Sequence, residues 1–206
     1  MNKSLIRQNI KKQRDSLTSE YINQESQKIT KSIIDNIEVI LPNFQNKVIA
    51  LYLSSNKEVD TKFLLEYFLQ QKSTIICLPK INPKDDSMDF VEYNINDKLE
   101  KNSKYLSISE PSSNKKIIPQ IIFTPLIACD KFGNRIGMGK GFYDKKIQKI
   151  KQSDQNITLI GLSYDFQLVD QIIASNSDQT LDFIGLPQYI IDSKTQLKVK
   201  NSKKDI

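Results

Sequence analysis

The chain has 206 residues and a formal net charge of +6, from 30 Lys and Arg residues against 24 Asp and Glu residues. This length suits one substantial core, so we predict a single domain over residues 1–193 and a polar, lysine-rich tail over 194–206. No apolar run is long enough to span a membrane and the N-terminus lacks a signal-peptide core, so we expect a cytoplasmic protein with no membrane partner. The positive charge favours anionic partners such as nucleotides, phosphorylated metabolites or nucleic acid.

Histidine and cysteine usage narrows the possible chemistry. Histidine is absent, which removes the usual general base and the commonest metal ligand. Cys77 and Cys129 each lie within an apolar run, where we expect buried thiols and neither a disulfide framework nor a zinc site. Any catalysis must therefore use carboxylates, Lys, Arg, Tyr, backbone amides or the substrate itself.

The N-terminal part of the chain predicts two helices. In the first, Lys3 and Arg7 lie one turn apart on the same face. Two cations on one face suit a triphosphate, although an exposed basic helix has the same spacing. Thr18 is the predicted N-cap of the second helix. The apolar residues of that helix recur at helical spacing and indicate a core face: Ile22, Ile29, Ile33 and Ile37.

Short apolar runs alternate with helical patterns along the rest of the chain. Residues 47–53 and 74–78 predict buried strands, and residues 88–93 predict a strand with one solvated face. A helix over 142–151 precedes a strand over 157–163. We therefore predict an α/β fold, a three-layer single domain with a largely parallel central sheet flanked by helices.

Glycine is concentrated in one loop, over residues 124–144, which contains four of the six glycines. The alternation Gly137-x-Gly139-x-Gly141 can turn successive N–H groups to one concave side and form an anion-binding nest. The helix predicted from Phe142 adds free N–H groups and its positive dipole end. The loop therefore predicts a site for phosphate.

Charged side chains in the same loop complete the outline of a nucleotide site. Arg135 and Lys140 add positive charge, and Asp144 adds a carboxylate that can hold Mg²⁺. The spacing is neither a Walker loop, because Phe142 follows Gly141, nor a Rossmann turn, because the third glycine comes one residue early. A tight strand-to-helix turn without a ligand is the alternative for the glycines alone.

The whole string from Pro125 to Asp144 resembles the central loop of the 5-formyltetrahydrofolate cyclo-ligase (5,10-methenyltetrahydrofolate synthetase) family. In that family the pattern is P-G-x-x-F-D-x-x-G-x-R-L-G-x-G-x-G-Y-Y-D. The N-terminus is similar to the family's K-x-x-L-R, and residues 161–167 are similar to its G-x-[AS]-[FY]-x-x-Q. Gln120 and Ser177 stand where the family has Asp and His.

This resemblance implies one α/β domain with ATP and a reduced folate in a cleft along the strand ends. The implied reaction converts 5-formyltetrahydrofolate to 5,10-methenyltetrahydrofolate, with phosphorylation of the formyl oxygen, attack by N10 and release of ADP and phosphate. The absence of histidine fits, because the nucleophile lies on the substrate and the enzyme supplies positioning and charge neutralisation. We expect ATP as co-substrate, Mg²⁺ as the metal, small-molecule partners only, no nucleic acid and a monomer.

The resemblance also implies the site residues. Catalytic roles fall on Arg135, Lys140 and Tyr143. ATP-binding residues come from the first helix and the glycine-rich loop: Lys3, Ser4, Leu5, Ile6, Arg7, Arg135, Ile136, Gly137, Met138, Gly139, Lys140, Gly141, Phe142 and Tyr143. Folate-binding residues come from the first strand end and the same loop: Leu53, Glu58, Met138, Gly139, Lys140, Gly141 and Phe142. The expected metal ligands are Asp144 and Asp182.

Two other classes of function are compatible with the sequence. A phosphotransferase or sugar-phosphate isomerase of similar architecture can use the same glycine nest, since a fold does not fix a function. The net charge and the many lysines also suggest an RNA-binding protein, although clustered aromatic residues on a basic face are missing. Steeply salt-dependent RNA binding would favour the second class.

Overall fold

A computed structural model of the chain describes residues 2–71, 73–153 and 156–199. Its helices are α1 (Lys3–Asp15), α2 (Ser19–Asp35), α3 (Ile37–Ile40), α4 (Lys62–Leu69) and α5 (Phe142–Gln152). Its strands are β1 (Val48–Ala50), β2 (Ile75–Ile81), β3 (Met88–Glu92), β4 (Leu99–Lys101), β5 (Ser109–Pro111), β6 (Ile121–Thr124), β7 (Ala128–Asp130), β8 (Arg135–Ile136), β9 (Thr158–Leu162), β10 (Leu168–Val169), β11 (Phe183–Gly185), β12 (Ile190–Asp192) and β13 (Leu197–Lys198). Among the helices of these residues, none is long and apolar enough to cross a membrane.

The central sheet has the strand order β13-β12-β11-β9-β6-β1-β2-β3. Its middle strands β11, β9, β6, β1 and β2 run parallel, and β3, β12 and β13 are added antiparallel at the two edges. The predicted α/β fold with a largely parallel sheet is confirmed. Because parallel strands end at the same edge, their carboxyl ends form one platform for a site.

Helices cover both faces of this sheet, which gives the three predicted layers. In β1, Ile49 packs with α2 and α4, whereas Ala50 points to the face covered by α5. The pleat of a strand requires this alternation, since successive side chains point to opposite faces. The α2 residues Ile29 and Ile33 are fully buried, and Thr18 caps that helix as predicted, its side chain accepting the Tyr21 N–H.

Helix α1 packs outside these layers, against a small second sheet of order β10-β7-β8. Its Ile6 and Ile10 lie against Ile127, Ala128 and Ile136. This small sheet interrupts the segment that the sequence predicts as one loop. Its strands are two or three residues long, too short for a pattern to reveal. The packing places the N-terminal turn of α1 beside the glycine-rich loop.

The predicted elements differ from the structure mainly at their ends. Strand β1 stops at Ala50 instead of residue 53, and β2 continues to Ile81 because its edge partner β3 pairs with it that far. The tail expected from residue 194 first forms a turn and β13, which pairs with β12. The rest of that tail, residues 200–206, lies outside the described residues.

Candidate active site

A cleft of about 540 Å³ opens at the carboxyl ends of β1, β2 and β6. Its floor comes from the residues that follow these strands, including Tyr52, Leu53 and Pro125. One wall carries Lys3 and Arg7 of α1 and the glycine-rich loop. The opposite wall is the β4–β5 hairpin, which is anchored to β2 because the buried Glu110 accepts the Ile81 N–H at 2.7 Å.

The first half of the central loop is a tight turn between β7 and β8. Asp130 is fully buried, and its carboxylate accepts the N–H groups of Phe132, Asn134 and Ile172 at 2.8–3.0 Å. Gly133 has φ +84°, and an added Cβ would lie 2.3 Å from the Leu181 carbonyl oxygen. Asp130 and Gly133 therefore build the turn, and neither lines the cleft.

The second half of the loop faces the cleft with exposed backbone. Gly139 and Gly141 have positive φ values of +101° and +69°, and Gly141 immediately precedes α5, which begins at Phe142 as predicted. Arg7 crosses from α1 and donates from Nε to the Gly137 carbonyl at 2.9 Å. The free N–H groups of the α5 N-terminus and the Arg7 guanidinium therefore meet at one side of the cleft, an arrangement suited to phosphate.

Arg135 brings a buried positive charge to the same place. Its side chain is 4% exposed, and Nη2 donates to Asp144 Oδ1 at 2.8 Å. Its Nε is buried and has no hydrogen-bond partner within the described residues. A guanidinium holds five donors in a fixed plane, so the remaining donors can serve an anion in the cleft.

Tyr143 lies behind Arg135 and presents a neutral hydroxyl group. The Arg135 guanidinium lies 6.0 Å from the centre of the Tyr143 ring. Burial raises the pKa of Tyr143, the nearby Glu58 charge raises it further, and the Arg135 charge lowers it. Its buried Oη has no partner in the described part of the chain. At neutral pH this group is a hydrogen-bond donor available to a ligand.

Lys3 is held in the cleft by an acidic residue that the sequence did not single out. Its Nζ forms an ion pair with Asp178 Oδ2, which also accepts the Ser175 N–H at 2.6 Å. Burial alone would raise the pKa of Asp178, but the hydrogen bonds from Lys3 and Ser175 leave it below the ordinary value. Since the Gln179 N–H donates to Asp144 Oδ1 at 3.1 Å, the chain places Asp178 close to Asp144.

Glu58 adds a negative charge to the cleft just beyond the end of β1. It is 8% exposed, and its Oε2 accepts the Ser55 N–H at 3.0 Å. Arg14 Nη1 lies 4.0 Å from Glu58 Oε1. Burial raises the pKa of Glu58, whereas the Ser55 hydrogen bonds and the Arg14 charge lower it. The cleft is therefore cationic at the glycine-rich loop and acidic at the end of β1.

Comparison with known proteins shows the family to which this chain belongs. The family model for the 5-formyltetrahydrofolate cyclo-ligase family matches residues 1–187. The chain belongs to this family. It is 34% identical over 182 residues to the 5-formyltetrahydrofolate cyclo-ligase of Haemophilus influenzae, covering 85% of this chain and 92% of that protein. Identity to the Escherichia coli K12 enzyme of the same name is 28% over 191 residues, covering 90% and 97% of the two chains.

Solved structures with the same fold agree with this membership of the cyclo-ligase family. The 5,10-methenyltetrahydrofolate synthetase of Mycoplasma pneumoniae superposes with a TM-score of 0.67 at 25% identity, covering 90% of this chain and 98% of that one. The synthetase of Aquifex aeolicus superposes with a TM-score of 0.77 at 23% identity and full coverage of both chains, which shows a shared fold.

Most residues that the cyclo-ligase resemblance implies do line the cleft, but part of the first helix does not. The structure brings together Lys3, Arg7, Leu53, Glu58, Arg135, Ile136, Gly137, Met138, Gly139, Lys140, Gly141, Phe142, Tyr143 and Asp144. Ser4, Leu5 and Ile6 do not line it. Ile6 is 4% exposed and packs on the small sheet, while Leu5 is 47% exposed. One helix face can meet the cleft, and Lys3 and Arg7 occupy that face.

Asp182, expected as a metal ligand, is not brought to the cleft. Its Oδ2 accepts the Leu159 N–H at 2.8 Å, close to the amino-terminal end of β9, whereas the cleft lies at the carboxyl ends of the strands. Asp178 lies in the cleft instead. The two aspartates are four residues apart, and only the path of the chain into β11 decides which carboxylate reaches the site.

The hairpin wall and the position of Lys140 could not be expected from the sequence. Tyr105 of the β4–β5 hairpin stacks edge-on against Phe142, with ring centres 5.5 Å apart. Lys140 Nζ lies 5.9 Å from the centre of the same Tyr105 ring. Lys140 therefore extends toward the hairpin, across the cleft from Lys3 and Arg7. The sequence around Tyr105 has no pattern that would have marked this contact.

The carboxylates of the cleft suit a metal that is bound mainly through phosphates. Among the described residues no group of three or more His, Cys, Asp or Glu side chains could hold a metal by itself. Asp144 takes both of its hydrogen bonds on Oδ1, which leaves Oδ2 without a partner within the described residues. Mg²⁺ commonly uses one or two carboxylates plus substrate phosphates and water, so Asp144 with Asp178 fits that mode.

Proposed function

We propose that this chain catalyses the ATP-dependent conversion of 5-formyltetrahydrofolate to 5,10-methenyltetrahydrofolate, with release of ADP and phosphate. Membership of the cyclo-ligase family supports this activity. The observation that carries it is that one cleft joins a phosphate-binding end, formed by the glycine-rich loop with Lys3, Arg7 and Arg135, to an acidic end at Glu58. A nucleotide and a pterin can then meet in the middle.

The triphosphate binds at the cationic end in this proposal. Lys3 and Arg7 hold its outer oxygens, and the backbone N–H groups between Gly137 and Gly141 surround the transferred phosphoryl group. The Arg135 guanidinium, whose Nε has no partner within the described residues, donates to the same group in this proposal. Because this charge is buried, it stabilises the developing negative charge more strongly than an exposed cation would.

The folate binds at the acidic end, with its pterin ring against Leu53 and Tyr52. A pterin carries an amino group and an adjacent ring N–H, and either can donate to a carboxylate oxygen. In this proposal the Glu58 carboxylate accepts one of them. Tyr143 donates its hydroxyl hydrogen toward the formyl group or the transferred phosphoryl, since burial keeps this phenol neutral.

The chemistry then needs no nucleophile from the protein. The formyl oxygen attacks the γ-phosphorus, the bond between that phosphorus and the β–γ bridging oxygen breaks, and ADP leaves. N10 of the same folate attacks the activated formyl carbon and loses its proton. The carbon–oxygen bond breaks, and inorganic phosphate departs with the formyl oxygen. The protein orients the two substrates and neutralises charge, which are the dominant contributions in phosphoryl transfer.

Asp144 and Asp178 are the residues that would hold Mg²⁺ beside the phosphates. The ion supplies charge neutralisation and orientation of the phosphate oxygens when it is bound. Arg135 fixes the orientation of Asp144, and Lys3 does the same for Asp178. We also propose that the protein acts as a cytoplasmic monomer without nucleic acid, because every proposed contact comes from a single chain. Size-exclusion chromatography of the active protein checks the monomer.

The activity is tested by mixing the purified protein with MgATP and 5-formyltetrahydrofolate and recording the absorbance of the methenyl product. We expect product to form only when protein, ATP and folate are all present, with one ADP for each methenyl group. Reactions without ATP and reactions with 10-formyltetrahydrofolate in place of the substrate are the controls. ATP consumption without methenyl product would contradict the proposed function.

A further inference from the structure

Arg14 at the end of α1 is fully buried, yet its surroundings leave it short of good acceptors. Its Nε has no partner within the described residues. Nη2 faces the Met138 sulfur at 3.8 Å, and a thioether is a weak acceptor. Nη1 donates to the Leu126 carbonyl at 3.4 Å, a long bond. A buried guanidinium is costly unless it is paired, so packing alone does not explain this residue.

The groups around Arg14 belong to three separate loops that line the cleft. Glu58 follows β1, Leu126 follows β6, and Met138 lies in the glycine-rich loop. Arg14 itself lies behind this wall, at the opposite end of α1 from Lys3. The guanidinium therefore connects the acidic end of the cleft with the phosphate-binding end without entering the cleft.

Glu58 is the carboxylate that faces Arg14, and only one of its two oxygens accepts hydrogen bonds within the described residues. Oε2 accepts both the N–H and the hydroxyl of Ser55, while Oε1 faces Arg14 and takes no hydrogen bond in the described part of the chain. The phenols of Tyr52 and Tyr143 also face Glu58, and burial keeps them neutral. The neighbouring Lys57 turns away, donating to the carbonyls of Asp15 and Leu17. Among the described residues, Arg14 is thus the cation that balances Glu58.

We propose that Arg14 is a positioning residue for folate recognition. Its charge favours the ionised form of the Glu58 carboxylate, which lines the cleft and accepts an N–H group of the pterin. This inference rests on the proposed function. It differs from the role of Lys3 and Arg7, because Arg14 acts on the folate through Glu58 and does not touch either substrate.

A pH dependence follows from the balance of influences on Glu58. Burial raises its pKa, and the Arg14 charge is one of the influences that lower it. Removing Arg14 therefore raises the pKa further, so a larger fraction of Glu58 is protonated near neutral pH. A protonated carboxyl accepts fewer hydrogen bonds. In an Arg14→Met variant the KM for the folate should accordingly fall as the pH rises.

Steady-state kinetics of Arg14→Met test the proposal against two matched variants. We expect the KM for 5-formyltetrahydrofolate to rise about tenfold, which corresponds to the loss of one charge-assisted hydrogen bond. The KM for MgATP and kcat should change little. Arg14→Lys keeps the charge and should recover part of the loss. Lys12→Met removes an exposed cation from the same helix and should leave all three parameters unchanged.

The double variant with Glu58→Gln separates positioning from a structural role. Glu58→Gln alone should raise the folate KM and remove its pH dependence, and adding Arg14→Met should then raise the KM little further. An equal increase with and without Glu58→Gln, or an unchanged folate KM, would overturn the proposal. If Arg14→Met does not fold, Arg14→Gln, which keeps donors for Leu126 and Met138, decides by the same criteria. Failure of the wild-type protein to form methenyl product would instead overturn the proposed function.

Discussion

The two halves of the central loop, residues 128–134 and 135–144, differ in how their polar groups are satisfied. In the first half the Asp130 carboxylate is buried and accepts hydrogen bonds on both oxygens, and Gly133 fits tightly under the Leu181 carbonyl. In the second half, Arg135 Nε and Tyr143 Oη are buried and have no partner within the described residues. The first half is complete as it stands, whereas the second half has donors left for a ligand.

Loss of the Arg135 guanidinium should give the largest effect on activity. We expect Arg135→Ala to lower kcat/KM about 10³-fold, as for arginines that stabilise phosphoryl transfer, because the proposed function gives its buried charge that role. Melting temperature should change little, since the partner Asp144 is exposed enough to be solvated once unpaired. The methenyl absorbance assay and thermal unfolding give the two readouts. Lys149→Ala, which removes an exposed cation from α5, is the control and should keep normal turnover.

A normal kcat/KM for Arg135→Ala would mean that the second half of the loop does not serve the reaction. A large drop in melting temperature would instead place Arg135 with the structural half. Either outcome would remove the distinction between the two halves.

The same Gly→Ala substitution should have opposite effects in the two halves. At Gly133 the new Cβ would lie 2.3 Å from backbone oxygen at φ +84°, so we expect Gly133→Ala to cost at least about 3 kcal/mol of unfolding free energy. At Gly137 the nearest atom is Arg135 Nη1 at 3.4 Å and φ is not positive. Gly137→Ala should keep the melting temperature but lower kcat/KM. Urea denaturation measures the first effect, and comparable stability losses for both variants would refute the contrast.

Asp178 and Asp182 offer a finer comparison of a cleft residue with a framework residue. We expect Asp178→Asn to raise the KM for MgATP about tenfold, since a charge-assisted contact is lost. Asp182→Asn should leave turnover unchanged and cost about 1 kcal/mol of unfolding free energy through a weaker bond to the Leu159 N–H. Titrating Mg²⁺ at fixed ATP shows which variant needs more metal. If Asp182→Asn alone shifted the Mg²⁺ titration, Asp182 would be the cleft residue and Asp178 the framework residue.

The sequence predicted the parts of the fold and site that depend on local pattern. The helix starting at Phe142, the N-cap at Thr18 and the parallel sheet follow from glycine placement, capping chemistry and alternation of apolar runs. The residues that signal each of these features are close together in the chain. Their physical causes are therefore visible in a short window of sequence.

The parts that escaped prediction depend on long-range packing. Lys3 and Asp178 are 175 residues apart, and Arg14 meets Met138 across 124 residues. Similarity to the family suggested Asp182. The sequence could not show that Asp178, four residues earlier, reaches the cleft instead, because that depends on the path of the chain into β11. Ser4, Leu5 and Ile6 were expected at the nucleotide with their neighbours, although a helix presents only one face.

The transfer of the formyl oxygen to phosphorus is the most direct test of this cleft as a site of phosphoryl transfer. The wild-type protein would be given MgATP and 5-formyltetrahydrofolate labelled with ¹⁸O in the formyl group, and the released phosphate would be analysed by mass spectrometry. We expect one ¹⁸O atom in each inorganic phosphate formed with a methenyl product. Unlabelled phosphate, with the label released into water, would contradict phosphorylation of the substrate in this cleft.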